Sequence, residues 1–397
     1  MKILALGALA VAACGSTDAP RPRECTDAPG TACSWAGTPG AQGQNDDVRD
    51  RRDSLLNWPT DVAFSPTGLG YIVDWNNHEI RRVEPDDTLI AVLGNSVEAE
   101  GAPDGTDYLP PNAPFGAPGT IISLNHPTAI EFLGDGRLVV ASWHGLRVRV
   151  WEPDTGLARV IAGDGEYGNT GDGGAAYAAE FNLPRSVVAD GSGRLYLLDQ
   201  KNQRIRTLEA TPTATITAFA GTGTSGYTGD GGPASAAQFA FVTKEALPSG
   251  GLAIDAGHLY VSDSGNARIR RIDLATGIIE SIAGNGFPGY TGDGGAATAA
   301  SIDNPADLAF GPDGRLYFSD SYNNVIRRVD LTSGVIDTVA GTGAPCAIGD
   351  VCLEAEEGLP ARELVLNGPL GIGFDGAGNL YIADTYNDRI VRIARDW

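Results

Sequence analysis

One sequence unit recurs six times along this chain, and the repeat constrains the fold more than any other feature. Each copy has a strand-like run that ends in Asp, then a turn with Asn, then an Ile-Arg pair. In the fifth copy the run ends at Asp320, and Asn323 and Arg327 follow it. The positions that end the run are Asp74, Ser142, Asp199, Asp263, Asp320 and Asp384, which lie 57 to 68 residues apart. A single unit cannot bury both of its faces, so the copies must stack on one another.

Each unit contains four short strand signals separated by turn residues. In the first unit they cover residues 60–64, 70–74, 80–84 and 88–93. The 54 Gly and 24 Pro of the 397 residues agree with many turns. Four antiparallel strands repeated six times predict an all-β, six-bladed β-propeller. The last unit shows only three strands, so we predict that residues 31–38 supply its outer strand and close the ring.

The repeated pattern resembles the NHL repeat. It reads Pro-x-x-(Val/Leu/Ile)-Ala, followed by Leu-Tyr-(Ile/Val)-(Ala/Ser)-Asp-x-x-Asn-x-x-Ile-Arg, and it covers residues 31–397 as one domain. The resemblance implies a six-bladed propeller that binds other macromolecules, as most proteins of that family do. A minority of them are enzymes. One is the peptidyl-hydroxyglycine amidating lyase, which holds a metal with three His from separate blades.

The N-terminus has the features of an export signal. Lys2 precedes an apolar run over residues 3–13, which is too short to span a bilayer. The run ends in a Val-Ala-Ala-Cys sequence at Cys14 that resembles a bacterial lipobox. The resemblance implies a signal peptide over residues 1–13, lipid on Cys14 and a tether over residues 14–30. An ordinary secretory signal in which Cys14 is incidental is the alternative.

Export implies an oxidising compartment, in which the four remaining cysteines are expected to form disulfides. Cys25–Cys33 and Cys346–Cys352 are favoured among the three pairings because these partners are close in sequence. We expect a monomer anchored by lipid to the bacterial cell envelope, at the outer membrane where there are two membranes. No later apolar stretch reaches the ~18 residues of a transmembrane helix, so the lipid would be the only membrane contact.

Charge and loop composition indicate the kind of partner. The chain has 28 Lys and Arg against 50 Asp and Glu, a net charge of −22, which argues against nucleic acid and anionic lipid as partners.

Three connections between blades share a Thr-Gly-Asp-Gly-Gly sequence that is predicted to lead into a short helix. Loops held on a rigid scaffold often bind ligands, so this rim is predicted to bind a protein or a glycan. The candidate binding residues are Tyr167, Asp172, Tyr227, Asp230, Tyr290 and Asp293.

Two structural alternatives apply to the same residues. The three Tyr side chains would then pack on their own blades, and each Asp would cap the short helix or close a turn. Calcium in these loops is a weaker hypothesis, because one Asp per loop is few for an ion that takes 6–8 oxygen ligands. The repeated Asp and Arg of the blades are interpreted as structural. Ser142 departs from the repeat, which makes the second blade a candidate for special use.

Catalysis at the central channel is the alternative function. Asp61 and Asp307 occupy equivalent places at the start of the innermost strands of units one and five. They are candidates to share a divalent cation such as calcium, with Arg185 as a neutralising partner. Of the four His, only His126 leads into an innermost strand, so the lyase's three-His site is not expected. The sequence therefore predicts a non-catalytic protein- or glycan-binding module with no certain cofactor, and a metal-dependent, lactonase-like hydrolase or lyase as the alternative.

Overall fold

The computed structural model describes residues 25, 27–45, 49–96, 116–241, 248–344 and 358–396. The export signal, Cys14 and the predicted Cys346–Cys352 disulfide lie outside these residues. The described part forms six antiparallel sheets, with ten single-turn 3₁₀ helices between strands. The innermost strands of all six sheets contact one another in a closed ring. The prediction of an all-β, six-bladed propeller is confirmed.

We name the strands of each blade a to d, from the central axis outward. Blade 1 has Pro59–Phe64, Gly70–Asp74, Glu79–Val83 and Thr88–Leu93. Blade 2 has Pro127–Phe132, Leu138–Ser142, Arg147–Glu152 and Leu157–Ala162. Blade 3 has Pro184–Ala189, Arg194–Asp199, Arg204–Glu209 and Thr217–Ala220. Blade 4 has Leu252–Ile254, His258–Asp263, Arg268–Asp273 and Ile279–Ala283. Blade 5 has Pro305–Phe310, Leu316–Asp320, Val325–Asp330 and Val335–Ala340.

Blade 6 is built from both ends of the described chain. Its strands a to c are Pro369–Phe374, Leu380–Asp384 and Arg389–Ile393, and its strand d is Thr31–Ala36, which pairs antiparallel with strand c. The predicted closure of the ring by an N-terminal strand is therefore confirmed. The predicted Cys25–Cys33 disulfide is also present and ties the preceding segment to this strand.

Short elements occupy the turns and the outer edges of the blades. Five 3₁₀ helices follow strand b: Trp75–Asn77, Gln200–Asn202, Ser264–Asn266, Ser321–Asn323 and Thr385–Asn387. Five lie in connections between blades: Gly119–Ile121, Ala176–Ala178, Ala234–Ala236, Ala297–Ala299 and Ala361–Glu363. Two-residue strands add to the outer edge of blades 1, 2 and 6: Arg49–Asp50, Ala117–Pro118 and Leu359–Pro360. These additions cover part of the edges that would otherwise be open to another strand.

Aromatic pairs hold neighbouring blades together. At three of the blade junctions, the Tyr of strand b in one blade packs edge-on against the Phe that ends strand a of the next. Tyr317 and Phe374 are an example, with ring centroids 5.0 Å apart, and Tyr260 with Phe310 is another. The hydroxyl of Tyr317 donates to Asp313 in the turn between strands a and b of its own blade. Each such pair contributes about 0.5–1.5 kcal/mol beyond the burial of its area.

The repeated Asp and Arg form a buried polar unit inside each regular blade. In blade 5, Asp320 is fully buried and accepts hydrogen bonds from the Asp303 backbone N–H and the Asn323 side chain. Its second oxygen lies 3.4 Å from Nη1 of Arg327. The carboxylate thus joins the start of strand a to the turn after strand b and to strand c. This geometry supports the structural interpretation of the repeat.

Candidate functional site

The connections between blades and the turns between strands b and c lie on one face, which we call the long-loop face. Each of the three predicted Asp residues of this face is hydrogen-bonded to the blade that follows its loop in the chain. Asp293 accepts a hydrogen bond of 2.7 Å from the buried Arg327, and it also accepts the Thr338 backbone N–H. Against the effect of burial, bonds from Thr338 and Arg327 hold the pKa of Asp293 below its usual value. Asp172 and Asp230 pair in the same way with Arg206 and Arg270.

The Gly-Asp-Gly-Gly segments continue past this face to the outer edge of the next blade. Gly294 donates to the carbonyl of Ile336 in strand d, and Ile336 donates to the carbonyl of Gly295. The short helix that follows has no side-chain cap from Asp, so the capping alternative does not apply. The segment covers a strand edge rather than standing free as a loop.

The three predicted Tyr residues differ in their surroundings. The ring of Tyr227 lies 3.8 Å from the Arg268 guanidinium carbon, and its hydroxyl donates to Asp230. Tyr290 is bonded to Thr338 through its hydroxyl. Tyr167 occupies a loop position two residues earlier than the other two and is 61% exposed. The packing alternative therefore applies to Tyr227 and Tyr290, whose hydroxyl groups bond to neighbouring side chains. Tyr167 presents its ring to solvent.

Exposed apolar side chains are concentrated on the long-loop face. Among the described residues, seven large apolar side chains are exposed, and six of them belong to this face. The six are Ile121, Tyr167, Tyr227, Phe287, Tyr290 and Tyr322. The seventh, Ile278, lies in the turn between strands c and d of blade 4, on the opposite face. The six side chains stand on loops of several blades, and loops held by a rigid scaffold often carry binding residues.

An aromatic cluster closes the central channel at the long-loop face. The indoles of Trp58 and Trp75 stack in parallel with centroids 5.8 Å apart, and Trp143 packs against Trp75. Trp58 also packs on Ala306 and Leu370 at the start of the innermost strands of blades 5 and 6. We call this cluster the aromatic mouth. Because Trp58 touches residues from several blades, the rings span the channel end.

Three histidines meet beside the aromatic mouth. The rings of His78 and His126 are 4.4 Å apart, and Nδ1 of His144 lies 2.9 Å from Nδ1 of His126. His126 leads into an innermost strand, whereas His78 and His144 lie in turns between strands b and c, so the contact among the three rings was not predicted from their places in the repeat. Within the described ranges, no three His, Cys, Asp or Glu have an arrangement that would hold a metal ion. Burial lowers the pKa of His78 to about 4 and that of His126 to about 3, so both are neutral at pH 7.

The channel itself contains a cavity of about 350 Å³ below the aromatic mouth. Val62, Ile130 and Leu308 are among its apolar walls, and Asp61, Glu131 and Asp307 bring carboxyl groups into it. The sequence analysis placed Asp61 and Asp307 here but missed Glu131. A comparison of the innermost strands would have shown it, because Ala63, Val188, Ala253, Ala309 and Gly373 hold the corresponding positions.

The channel carboxyl groups also connect neighbouring blades. Asp61 of blade 1 accepts the backbone N–H of Ile130 in blade 2 at 2.9 Å. Asp307 of blade 5 accepts that of Ile372 in blade 6 at 3.1 Å. Glu131 has a longer contact of 3.4 Å with the backbone N–H of blade 3. The two aspartates therefore have a structural role in addition to any contact with a ligand.

Burial raises the pKa values of the three channel carboxyl groups, and repulsion between the groups adds to this for Asp307 and Glu131. Burial raises the pKa of Asp61 to about 6, although hydrogen bonds and the charge of Arg185 oppose it. Burial and the charge of Asp61 raise the pKa of Asp307 to about 7. The pKa of Glu131 is raised to about 8, first by burial and then by Asp61 and Asp307. At neutral pH the three groups thus share fewer than three negative charges.

A larger groove of about 720 Å³ lies on the opposite face between blades 1 and 2. Arg137 and Asp135 of its lining form an ion pair, and Arg82 of its lining pairs with Glu84. No helix in the described part of the chain is both long and apolar enough to cross a membrane.

Comparisons with known proteins bear on the fold. No family model matches the chain. It is 28% identical over 312 residues to Protein SUPPRESSOR OF QUENCHING 1, chloroplastic, of Arabidopsis thaliana. The aligned region covers 75% of this chain and 27% of that protein. The chain thus spans about a quarter of the length of this curated relative.

Similar solved structures come from bacteria. A Bacteroides thetaiotaomicron protein of unknown function has a TM-score of 0.60 at 17% identity, covering 91% of this chain and 74% of that one. An auxiliary nutrient binding protein of the same organism has a TM-score of 0.60 at 13% identity, covering 91% and 75%. The gluconolactonase XC5397 of Xanthomonas campestris has a TM-score of 0.50 at 11% identity, covering 91% and 88%. These likenesses show that the chain shares the propeller fold with proteins of several functions.

Proposed function

We propose that the protein is exported, anchored to the bacterial cell envelope through lipid on Cys14, and acts as a non-catalytic module that binds a protein or glycan. The binding surface in this proposal is the long-loop face. The observation that carries it is the concentration of exposed apolar side chains there, six of the seven among the described residues. Exposed aromatic rings on a rigid scaffold bury a large area on binding and lose little conformational entropy.

Three side chains of this face are the expected centre of contact. Tyr167, Phe287 and Tyr322 are 61%, 74% and 47% exposed. Because the loops that carry them are bonded to the blades, a partner meets a preformed surface. The net charge of −22 favours a neutral or basic partner and disfavours nucleic acid.

The experiment is a binding assay of the purified chain against isolated cell-envelope proteins and a glycan array. The variant Y167S/F287S/Y322S is compared with I278S, which removes an exposed apolar side chain from the opposite face. We expect the triple variant to lose binding by more than about tenfold, since buried aromatic residues dominate interfaces. I278S should bind like the unchanged protein. Equal binding by both variants would contradict the proposal.

Anchoring is tested separately. In cells, the unchanged protein should fractionate with membranes and incorporate labelled palmitate, whereas C14S should do neither. Incorporation of palmitate into C14S would show that Cys14 is not the lipidated residue.

The alternative is a metal-dependent hydrolase or lyase in the channel. The observation that favours it is the convergence of Asp61, Glu131 and Asp307 in one cavity. The positive charge of Arg185 in the same layer opposes cation binding, because it acts on both Asp61 and Asp307. Addition of calcium in excess should raise the melting temperature markedly if this alternative holds, since bound ligand stabilises by mass action.

A further inference from the structure

The channel cavity has features that neither the repeat nor the long-loop face requires. Its volume of about 350 Å³ lies within the range of small-molecule sites. Most of the residues that line it are apolar, but polar atoms contribute the larger share of its exposed surface. Access is from the face opposite the long loops. Phe64, Phe132 and Phe310, at the far ends of the innermost strands, are only partly buried, whereas Ala306 and Leu370 under the aromatic mouth are fully buried.

Carboxyl groups line this cavity, and a buried arginine close enough to act on two of them lies beside it. Asp61, Glu131 and Asp307 line it, and Glu131 is the only acidic residue at its position in the six innermost strands. Propeller closure does not need Glu131, because its one long backbone contact is weak compared with those of the two aspartates. Three carboxyl groups in one cavity favour a ligand that brings a positive charge.

Arg185 supplies the opposite charge. Its side chain is 1% exposed, and Nη1 donates to the Thr128 carbonyl at 2.9 Å. Within the part of the chain that the structure describes, its Nε and Nη2 have no hydrogen-bond partner. The charge of Arg185 acts on both Asp61 and Asp307, so the guanidinium lies at the inner end of the same channel. Buried donors without partners are costly, and a ligand acceptor would satisfy them.

We propose that the channel is a binding site for a small zwitterionic amino compound, of the size of an amino acid or a dipeptide. Its ammonium group would lie among Asp61, Glu131 and Asp307, and its carboxylate would accept hydrogen bonds from Arg185. Its apolar part would contact Val62, Ile130 and the neighbouring walls. Such a ligand pairs both kinds of buried charge at once, whereas a metal ion would leave Arg185 facing a like charge. The site is separate from the surface of the proposed function.

The test is isothermal titration of the purified chain with L-phenylalanine and with L-leucyl-L-leucine, each up to about 10 mM, a range that detects millimolar affinity. Two analogues separate the charges: N-acetyl-L-phenylalanine lacks the ammonium, and phenethylamine lacks the carboxylate. At least one zwitterion should bind. Each phenylalanine analogue should bind at least about tenfold more weakly than L-phenylalanine if that is the ligand, the ratio expected for a lost charge-assisted hydrogen bond.

Variants of Glu131 and Arg185 test whether these residues form the binding site. E131Q should weaken binding at least about tenfold. E166Q, which removes an exposed carboxylate from the long-loop face, is the matched control and should leave it unchanged. In R185M the zwitterion should lose its advantage over phenethylamine. E131Q keeps the test decisive if R185M does not fold, and a circular dichroism melt checks each variant.

Three results would overturn the proposal: no heat from either zwitterion, equal binding of the N-acetyl analogue, or unchanged binding in folded E131Q. Binding of calcium without any zwitterion would also overturn it, and would support the hydrolase or lyase. None of these results depends on the long-loop face, so the outcome is independent of the surface assay.

Discussion

Blade 5 and blade 2 are copies of the same unit, but they surround their buried arginine differently. In blade 5, Arg327 contacts Asp320 at 3.4 Å and Asp293 at 2.7 Å. In blade 2, the group that faces Arg149 from the corresponding position is the hydroxyl of Ser142, at 3.3 Å. The carboxylate that defines the repeat is thus absent from blade 2, the blade that supplies Trp143 to the aromatic mouth.

The next position shows the same contrast. Blade 5 has the small Ser321 there, whereas blade 2 has Trp143, whose indole packs in the aromatic mouth and donates to Gln200 at 3.0 Å. Glu131, the carboxyl group that sequence analysis missed, also belongs to blade 2. The blade that departs from the repeat thus supplies one residue to the aromatic mouth and one to the channel cavity, while regular blades supply the others.

The largest effect should come from the repeated carboxylate itself. D320A removes a buried carboxylate that holds Arg327, Asn323 and a backbone N–H, so we expect a loss of about 3–5 kcal/mol in the free energy of unfolding. S142A in blade 2 should cost only about 0.5–1.5 kcal/mol, the value of one hydrogen bond. Urea unfolding at pH 7 measures both. Equal losses would mean that the two blades do not differ in this way.

At the position that follows the repeated Asp, we expect the blade 2 variant to lose more stability than the blade 5 variant. W143A removes a buried indole and is expected to cost about 3 kcal/mol, because the surrounding rings cannot fill the cavity it leaves. S321A, the matched change in blade 5, should be almost neutral, since its buried hydroxyl has no partner among the described residues. Thermal melts compare the two variants. A stable W143A would show that the rings contribute little to closing the channel.

Restoring the repeat in blade 2 should stabilise the protein moderately. In S142D, the new carboxylate would meet Arg149 and the backbone of Asn125, as Asp320 meets Arg327 and Asp303 in blade 5. Because the arginine is already buried, we expect a gain of about 1–2 kcal/mol. A loss of stability in urea unfolding would instead indicate that blade 2 is adapted to the absence of the carboxylate.

The smallest expected effect is the pH dependence of stability, to which the two blades contribute through different titrating groups. Burial raises the pKa of Asp320 and of Asp307 to about 7 and that of Glu131 to about 8, above their unfolded values, so their contribution to stability is lost as pH rises through 7 and 8. The lowered pKa values of His78 and His126 act oppositely, and stability falls as pH drops below their unfolded value of about 6.5.

Between about pH 5 and pH 8 the three acidic groups outweigh the two histidines, so the melting temperature should fall overall as pH rises. D320N should make this fall shallower, whereas H126N should make it steeper because it removes an opposing contribution. Asn is suitable at residue 126 because the backbone there has φ 53°, which Asn tolerates. A melting temperature that rises steadily from pH 5 to pH 8.5 would contradict the assignment.

The strands were predictable because their signals are local and occur six times. Predicted strands 70–74 and 88–93 coincide with Gly70–Asp74 and Thr88–Leu93, and the other two in blade 1 differ by one residue at their ends. The closing strand was predictable for a related reason, since the last unit lacked a partner that only a distant segment could supply. Turn residues and alternating side chains act over a few positions, so no knowledge of the ring was needed.

The candidate sites were less predictable because they depend on which ends of different strands come together. Asp61 and Asp307 were found from their equivalent positions, but their proximity to Glu131 required the tilt and stagger of the inner strands. The three histidines lie in two kinds of segment that the repeat places on one face, but only the structure shows that their rings contact one another. Tyr167 and Tyr227 look alike in sequence, yet Tyr167 is 61% exposed, whereas Tyr227 is 39% exposed and packs on Arg268.

The number of blades, their strands and the buried Asp-Arg unit of five blades could be predicted from the sequence, because each follows from a short-range pattern that recurs along the chain. The contents of the channel depend on the tertiary structure. Six innermost strands meet there from residues far apart in the chain, and burial in that confined space changes the charge of the groups it brings together. Proximity and burial are properties of the closed ring, and no single unit contains them.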